Sequence, residues 1–255
     1  MVRKDLVPFL NSLNELQPRP VVGITTNGVL LDRYLDDLIL AGVTYLNISL
    51  DSLSPETFYK ITRRDHYRET WRAILNALAK KCGIKINMVI QPGLNDHEIE
   101  NFARLTKSLP ISVRFIEPMP FSGTGNQVFK EFPGSKIRAI LERSFELQSL
   151  EDKTDGVADR YKITGHLGDV GIIFAYSRTF CHTCSRIRIS AQGQMRTCLY
   201  GGNVLNLREL LRCKSSDDVI AHAIRDAVER RYKNGFEAES AQSESGYQSM
   251  SVIGG

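Results

Sequence analysis

Long apolar runs are missing from these 255 residues. The richest, Val21 to Thr25 and Tyr45 to Leu50, fall far short of the ~20 residues that cross a bilayer, which excludes a membrane-spanning helix. The amino-terminal Met1-Val2-Arg3-Lys4-Asp5 lacks the apolar core of a signal peptide, so the expected compartment is the cytoplasm. No basic run interleaved with aromatics is present, which argues against a nucleic-acid track. Three nucleotide and nucleophile signatures are absent as well: the G-x4-G-K-[ST] phosphate loop, the Rossmann glycine fingerprint and the G-x-S-x-G turn. Any nucleotide must therefore be held some other way. Cysteine is scarce and odd in number, at 5, which speaks against a disulfide scaffold.

What is present is ordinary for a globular protein: 42% apolar and 24% charged residues, with a net charge of only +4. The length suits one large domain or two modest ones. Leu6, Phe9, Leu10 and Leu13 repeat at helical spacing until Pro18 and Pro20, and the β-rich Val21 to Thr25 follows. Leu30 to Leu40 is a second helix closed by Gly42, before a strand at Tyr45 to Leu50. Ser54-Pro55-Glu56 starts another helix, with Ser54 as its cap. A helix around Trp71 to Ala79 leads to a strand at Ile84 to Ile90, and a helix at Asp96 to Leu109 to a strand at Ile111 to Ile116. Four strands, each preceded by a helix, predict an α/β fold with a parallel layer, too few strands to close a barrel.

The rhythm breaks near Phe121-Ser122-Gly123-Thr124-Gly125, so a soft boundary is expected near residue 128, giving units 1–128 and 129–255. A helix at Ser135 to Phe145 and short strands at Arg160 to Ile163 and Gly171 to Tyr176 lead into the cysteines. The tail from Ala238 to Gly255, rich in Ser, Gln, Glu and Gly, is expected to be flexible.

The strongest chemical signal is Cys181-His182-Thr183-Cys184, followed after thirteen residues by Cys198. A C-x2-C pair puts two sulfurs on one turn, and a third from a distant segment closes a soft-ligand site. Structural zinc wants four protein ligands, which only His182 or Cys213 can complete. A four-iron cluster on three thiolates would instead leave one iron open. Ligand counting leaves zinc, iron-sulfur and unliganded cysteines all standing. Cys82 and Cys213 read as structural.

Beside the cysteines, Ser185-Arg186-Ile187-Arg188-Ile189 alternates so that a strand would turn both arginines to one face, where they can fork onto an anion or balance thiolate charge. Polar residues also collect at the predicted strand ends: Thr25-Thr26-Asn27-Gly28, Ser49-Leu50-Asp51, and Arg114 to Met119. That edge is where parallel α/β folds bind ligands. Lys85, between Ile84 and Ile86, faces either an anion or the solvent at an edge.

Taken in order, Gly23-Ile24-Thr25-Thr26-Asn27-Gly28, Asn47-Ile48-Ser49-Leu50-Asp51-Ser52, Arg114-Phe115-Ile116-Glu117-Pro118-Met119, the C-x2-C-x13-C set and the terminal Gly254-Gly255 closely resemble the molybdenum cofactor biosynthesis protein A family. Members are GTP 3′,8-cyclases, radical S-adenosylmethionine (SAM) enzymes with an incomplete TIM-type barrel and a [4Fe-4S] cluster at each end of a tunnel. They convert GTP to (8S)-3′,8-cyclo-7,8-dihydroguanosine 5′-triphosphate, and a cyclic pyranopterin monophosphate synthase acts downstream.

The resemblance implies that residues 1–128 form a partial barrel and 129–255 a cluster- and GTP-binding subdomain. It implies that Cys181, Cys184 and Cys198 hold the carboxyl-terminal cluster, whose open iron receives guanine, and that Thr25, Lys85, Arg186, Ile187 and Arg188 contact GTP. Ser49 and Met119 fall at SAM contacts, Arg114 lines the tunnel, and Gly254 and Gly255 form a tail reaching the active site. The family's C-x3-C-x2-C and Gly-Gly-Glu-Pro segments do not occur here. The chain is therefore expected to be truncated, to bind GTP without turnover alone, and to pair with an amino-terminal fragment or a second copy. Two rivals remain: a non-catalytic cluster- and GTP-binding subunit of a split enzyme, and a zinc-stabilised α/β module.

Overall fold

The computed structural model describes residues 4–119, 131–150, 157–179, 181 and 184–241. Cα packing divides them into two compact units, one of residues 4–118, 131–150 and 158–174, the other of Met119, Val157 and the described residues from 175 to 241.

In the first unit the strands are β1 (Val22–Thr26), β2 (Val43–Ser49), β3 (Gly83–Val89), β4 (Ile111–Ile116), β5 (Leu147–Leu150), β6 (Ala158–Ile163) and β7 (Asp169–Ile173), joined in the order β1-β2-β3-β4-β7-β6-β5. The first five in that order are parallel, while β6 runs antiparallel to both neighbours. The helices are α1 (Leu6–Asn14), α2 (Leu31–Leu40), α3 (Pro55–Thr62), α4 (Tyr67–Ala79), α5 (Ile99–Ser108) and α6 (Gly134–Ser144).

Alternation along the strands sorts the two faces. Leu46, Ile48, Ile84, Ile86, Met88, Val113, Phe115, Val170 and Ile172 are buried in one core with Leu31, Leu35, Leu38, Ile74, Phe102 and Ile137 of the helices. The opposite face is polar. Local chemistry sets the helix ends as the sequence suggests: Ser54 Oγ accepts from Thr57 N at 3.4 Å, and Gly42, at φ +81°, turns the chain out of α2 in a conformation that suits glycine.

The sheet is larger than the four expected strands, because the segments beyond residue 128 pair onto β4 through β7 rather than building a separate core. The packing division accordingly falls elsewhere than residue 128, with β5, β6 and β7 in the first unit. Leu147–Leu150, a short edge strand without β-branched residues, carries no strand signal of its own.

The second unit holds a small antiparallel sheet of β8 (Arg188–Ile189), β9 (Gln194–Arg196) and β10 (Leu205–Asn206), with α7 (Leu207–Arg212), α8 (Asp217–Glu229) and α9 (Gly235–Ser240). Only Arg188 and Ile189 of the alternating run pair as strand, since their partner β9 offers just Arg196 and Met195. Of the segment expected to be flexible, Ala238 is instead buried within α9; from residue 242 on, including Gly254 and Gly255, it lies outside the described residues. Among the described residues no helix is long and apolar enough to cross a membrane.

Candidate functional site

On the polar face of the sheet, register aligns residues from successive strands into rows. One row runs Thr25, Asn47, Lys85, Ser112, Asp169, Lys162; the next runs Ser49, Asn87, Arg114, Gly171, Arg160. Four residues singled out from the sequence, Thr25, Ser49, Lys85 and Arg114, thus share one face. The linking members Asn47, Asn87, Ser112, Asp169 and Arg160 were not singled out, because only pairing partners reveal them.

Asn47 Nδ2 donates to Thr25 Oγ1 at 3.4 Å, and Lys85 Nζ sits 4.3 Å from the centre of the Tyr45 ring. Farther along, Ser112 Oγ donates to Asp169 Oδ1 at 2.7 Å and Arg160 Nη2 to Asp169 Oδ2 at 3.0 Å. Arg114 is buried. Asn47 Oδ1 and Asn87 Oδ1 are buried and meet no donor among the described residues. A buried carbonyl oxygen left so is costly, and a polar ligand laid on this face would relieve it.

The carboxyl edge of the sheet is braced by buried polar residues. Asn95 Nδ2 donates to Asp51 O at 2.7 Å and to Val89 O at 2.9 Å, while its Oδ1 accepts from Gln91 N at 2.7 Å. Glu98 accepts from Ser52 Oγ and Leu53 N, both at 2.6 Å. Asp51 beside them accepts from Val89 N at 2.8 Å, yet burial pushes its carboxyl up to about 6. In the Thr25-Thr26-Asn27-Gly28 segment, the later residues serve the turn: Val29 N donates to Asn27 Oδ1 at 3.2 Å, and Gly28 has φ +80°.

In the second unit two successive turns present Cys181 and Cys184, and a separate turn presents Cys198. Cys181 N donates to Arg178 O at 3.3 Å and Cys184 N to Cys181 O at 3.4 Å, and Gly201 N donates to Cys198 O at 3.4 Å. All three cysteines are free and partly buried. The Cys181 thiol is pushed up, first by burial and then by the charges of Cys198 and Cys184, against the lowering effect of the Gly235 N–H at 3.3 Å and of Arg178. The Arg188 guanidinium is lowered by burial and by Arg186, and is favoured by Cys184 and Cys198. Cys184 and Cys198 therefore lie within reach of the charges of both Cys181 and Arg188, and Arg188 within reach of Arg186. Arg186 and Ile187 are exposed. Met119 Sδ accepts from the Tyr200 hydroxyl at 3.2 Å.

Among the described residues, no three His, Cys, Asp or Glu gather so as to hold a single metal ion. His182 lies outside those residues, and Cys213 is exposed at the end of α7. Three free thiols beside cationic side chains suit the ligand chemistry of an anionic four-iron cluster with one open iron.

Residues 1–106 match the family model described as Radical SAM superfamily, and residues 111–237 the one described as Molybdenum Cofactor Synthesis C. The chain is 39% identical over 236 residues to the GTP 3′,8-cyclase of Heliobacterium modesticaldum, an alignment covering 91% of this chain and 72% of that one. It is 37% identical over 253 residues to molybdenum cofactor biosynthesis protein moc-5 of Caenorhabditis elegans (95% of this chain, 42% of the relative). Against human molybdenum cofactor biosynthesis protein 1 it is 36% identical over 234 residues (91% and 37%). The chain thus spans less than half the length of these two animal relatives and about three quarters of the bacterial one. Through that bacterial relative, the chain belongs to the GTP 3′,8-cyclase family.

Proposed function

We propose that these residues form the substrate-holding part of a GTP 3′,8-cyclase of molybdenum cofactor biosynthesis, which converts GTP to its 3′,8-cyclo-7,8-dihydro derivative with SAM as radical source. The observation that carries the reading is a set of three free, partly buried thiols with Arg188 inside the electrostatic reach of Cys184, Cys198 and Arg186.

Cys181, Cys184 and Cys198 would hold a [4Fe-4S] cluster; when bound, it supplies an open iron for a donor atom of guanine. Arg186, Ile187 and Arg188 contact GTP from the second unit, the guanidinium forks suiting its oxygens. On the sheet unit, Lys85 and Thr25 supply a point charge and a hydroxyl to GTP, Ser49 a hydroxyl to SAM, and Arg114 a cation along the substrate tunnel. Met119 is a further SAM contact, and Gly254-Gly255 is read as an active-site tail. We read the seven-stranded sheet as part of a radical-SAM barrel, with the described residues from 175 onward contributing the cluster subdomain; its helix-covered apolar face and its polar opposite face support that reading. The free cysteines are in keeping with the cytoplasm as compartment.

No C-x3-C-x2-C occurs in these 255 residues, so ligands for a SAM-cleaving cluster are not among them. The 255-residue protein, iron-loaded under anoxia, should bind GTP in calorimetry yet release no 5′-deoxyadenosine from SAM with dithionite. Arg188→Ala and Lys85→Ala should each weaken GTP at least about tenfold, in line with loss of a charge-assisted hydrogen bond. Wild-type affinity in both variants would defeat the assignment.

A further inference from the structure

Arg178 is assigned no role by the residues considered so far, yet the fold invests heavily in it. Its backbone sits at φ +55°, the left-handed region that a non-glycine residue rarely adopts without an enforcing environment. Its side chain is only 2% exposed. The guanidinium lies 3.7 Å from the centre of the Tyr200 ring and 4.2 Å from that of Phe236, and Nη2 donates to Glu239 at 2.6 Å. Nε and Nη1 are buried and meet no acceptor among the described residues.

What this cation adjoins is Cys181 of the thiol set. Arg178 O accepts from Cys181 N, three residues on. Gly235 N donates to Cys181 Sγ at 3.3 Å, and a Cβ added at Gly235 would stand 2.9 Å from Arg178 Cδ and 2.7 Å from Tyr200 Cδ2. Gly235 thus faces the sulfur with its N–H and the arginine stem with its Cα, where a Cβ would stand too close to Arg178 and Tyr200.

We propose that Arg178 is a buried counter-charge that sets the reduction potential of the cluster held by Cys181, Cys184 and Cys198, with Glu239 setting how much of its charge the cluster feels. The proposal rests on the cluster reading above. Reduction adds an electron, supplied in the test by dithionite, to an already anionic centre. A fixed cation nearby in a dehydrated setting favours the reduced form, and the carboxylate of Glu239 partly cancels that effect. Arg178 is a positioning charge rather than a catalytic residue, since it touches neither substrate nor reacting atoms.

The test is a mediated redox titration, followed by electron paramagnetic resonance, of the anoxically iron-loaded full chain. Arg178→Asn, whose residue tolerates a left-handed backbone, should lower the midpoint by a tenfold change in the oxidised-to-reduced ratio, 59 mV for one electron. Glu239→Gln, at a site 30% exposed, should raise it, and Arg178→Lys should restore much of the wild-type value. Opposite signs from the two partners are what mere packing damage would not produce. Unchanged potentials in Arg178→Asn and Glu239→Gln, with wild-type iron content, overturn the proposal and leave the cluster reading intact. If Arg178→Asn fails to load iron, the sign of the Glu239→Gln shift decides: a rise supports the proposal, and no shift or a fall overturns it. A wild-type chain that loads no iron defeats the cluster reading and this inference with it.

Discussion

The sheet unit buries one continuous apolar cluster from Leu10 to Ile172, whereas the buried apolar residues of the second unit, among those described, are Val157, Ala175, Met195, Tyr200, Leu207 and Ala238. Its helix α8 buries no residue fully, and its sheet strands are two or three residues long. Beside these few buried side chains, its described residues have polar and cationic ties: Arg178 to Glu239, and Arg231 Nη1 to Cys184 O at 2.5 Å. Hydrophobic burial can hold the first unit without help, but small cores depend on staples such as bound metal. On the cluster reading proposed above, the difference means that the cysteines of the second unit would brace its fold as well as hold the cluster.

The largest expected effect follows from that contrast. Iron-free protein, or Cys198→Ala, should lose ordered structure in the second unit while the sheet unit stays folded; limited proteolysis read by mass spectrometry should show cuts between 184 and 241 and protection of the sheet strands. Equal protection of both units without iron would break the comparison. Next comes Phe102→Ala, at a fully buried position of α5, which should cost about 3–5 kcal/mol in denaturant unfolding of the sheet unit. It should leave iron content per folded chain unchanged.

A smaller effect attaches to Asp51. The native state raises its carboxyl from 3.8 to about 6, so it binds the proton more tightly than the unfolded chain does. Stability should therefore fall as pH rises from about 4 to about 6, and the loss should persist above that range. Asp51→Asn keeps an acceptor for Val89 N and should remove that slope, gaining about 1–2 kcal/mol at pH 7 once partial exposure is allowed for. Thermal unfolding across pH checks it, and a parallel slope in the variant would contradict it. Smallest is Ser216→Ala at the cap of α8, where Ser216 Oγ accepts from Val219 N at 3.5 Å. It should cost about 1 kcal/mol or less, and should matter more to the thinly packed second unit than a similar change at Ser54 does to the first.

How legible this was in the sequence differs between the units for the same reason. Runs such as Leu46, Ile48 and Leu50 against Asn47 and Ser49 announce both the strand and its two faces, so β1 to β4 and the placement of Thr25, Ser49, Lys85 and Arg114 on their polar side are readable. Asn47 and Asn87 were not, because their importance comes from register, a property of pairs of strands. The addition of β5 to β7 to the sheet was hidden likewise, since pairing onto β4 is a long-range event. In the second unit Cys181, Cys184 and Cys198 stood out by spacing. Arg178 did not: its burial depends on Glu239 and Phe236, about sixty residues on, and nothing in Ser177-Arg178-Thr179 signals it.

The most direct test of the thiol assignment is iron and acid-labile sulfide per chain after anoxic reconstitution, for wild type and Cys198→Ala. The account predicts four of each with thiolate-to-iron absorbance in wild type, and a sharp loss in the variant. Stoichiometric zinc without that absorbance, or equal iron in both proteins, would contradict it.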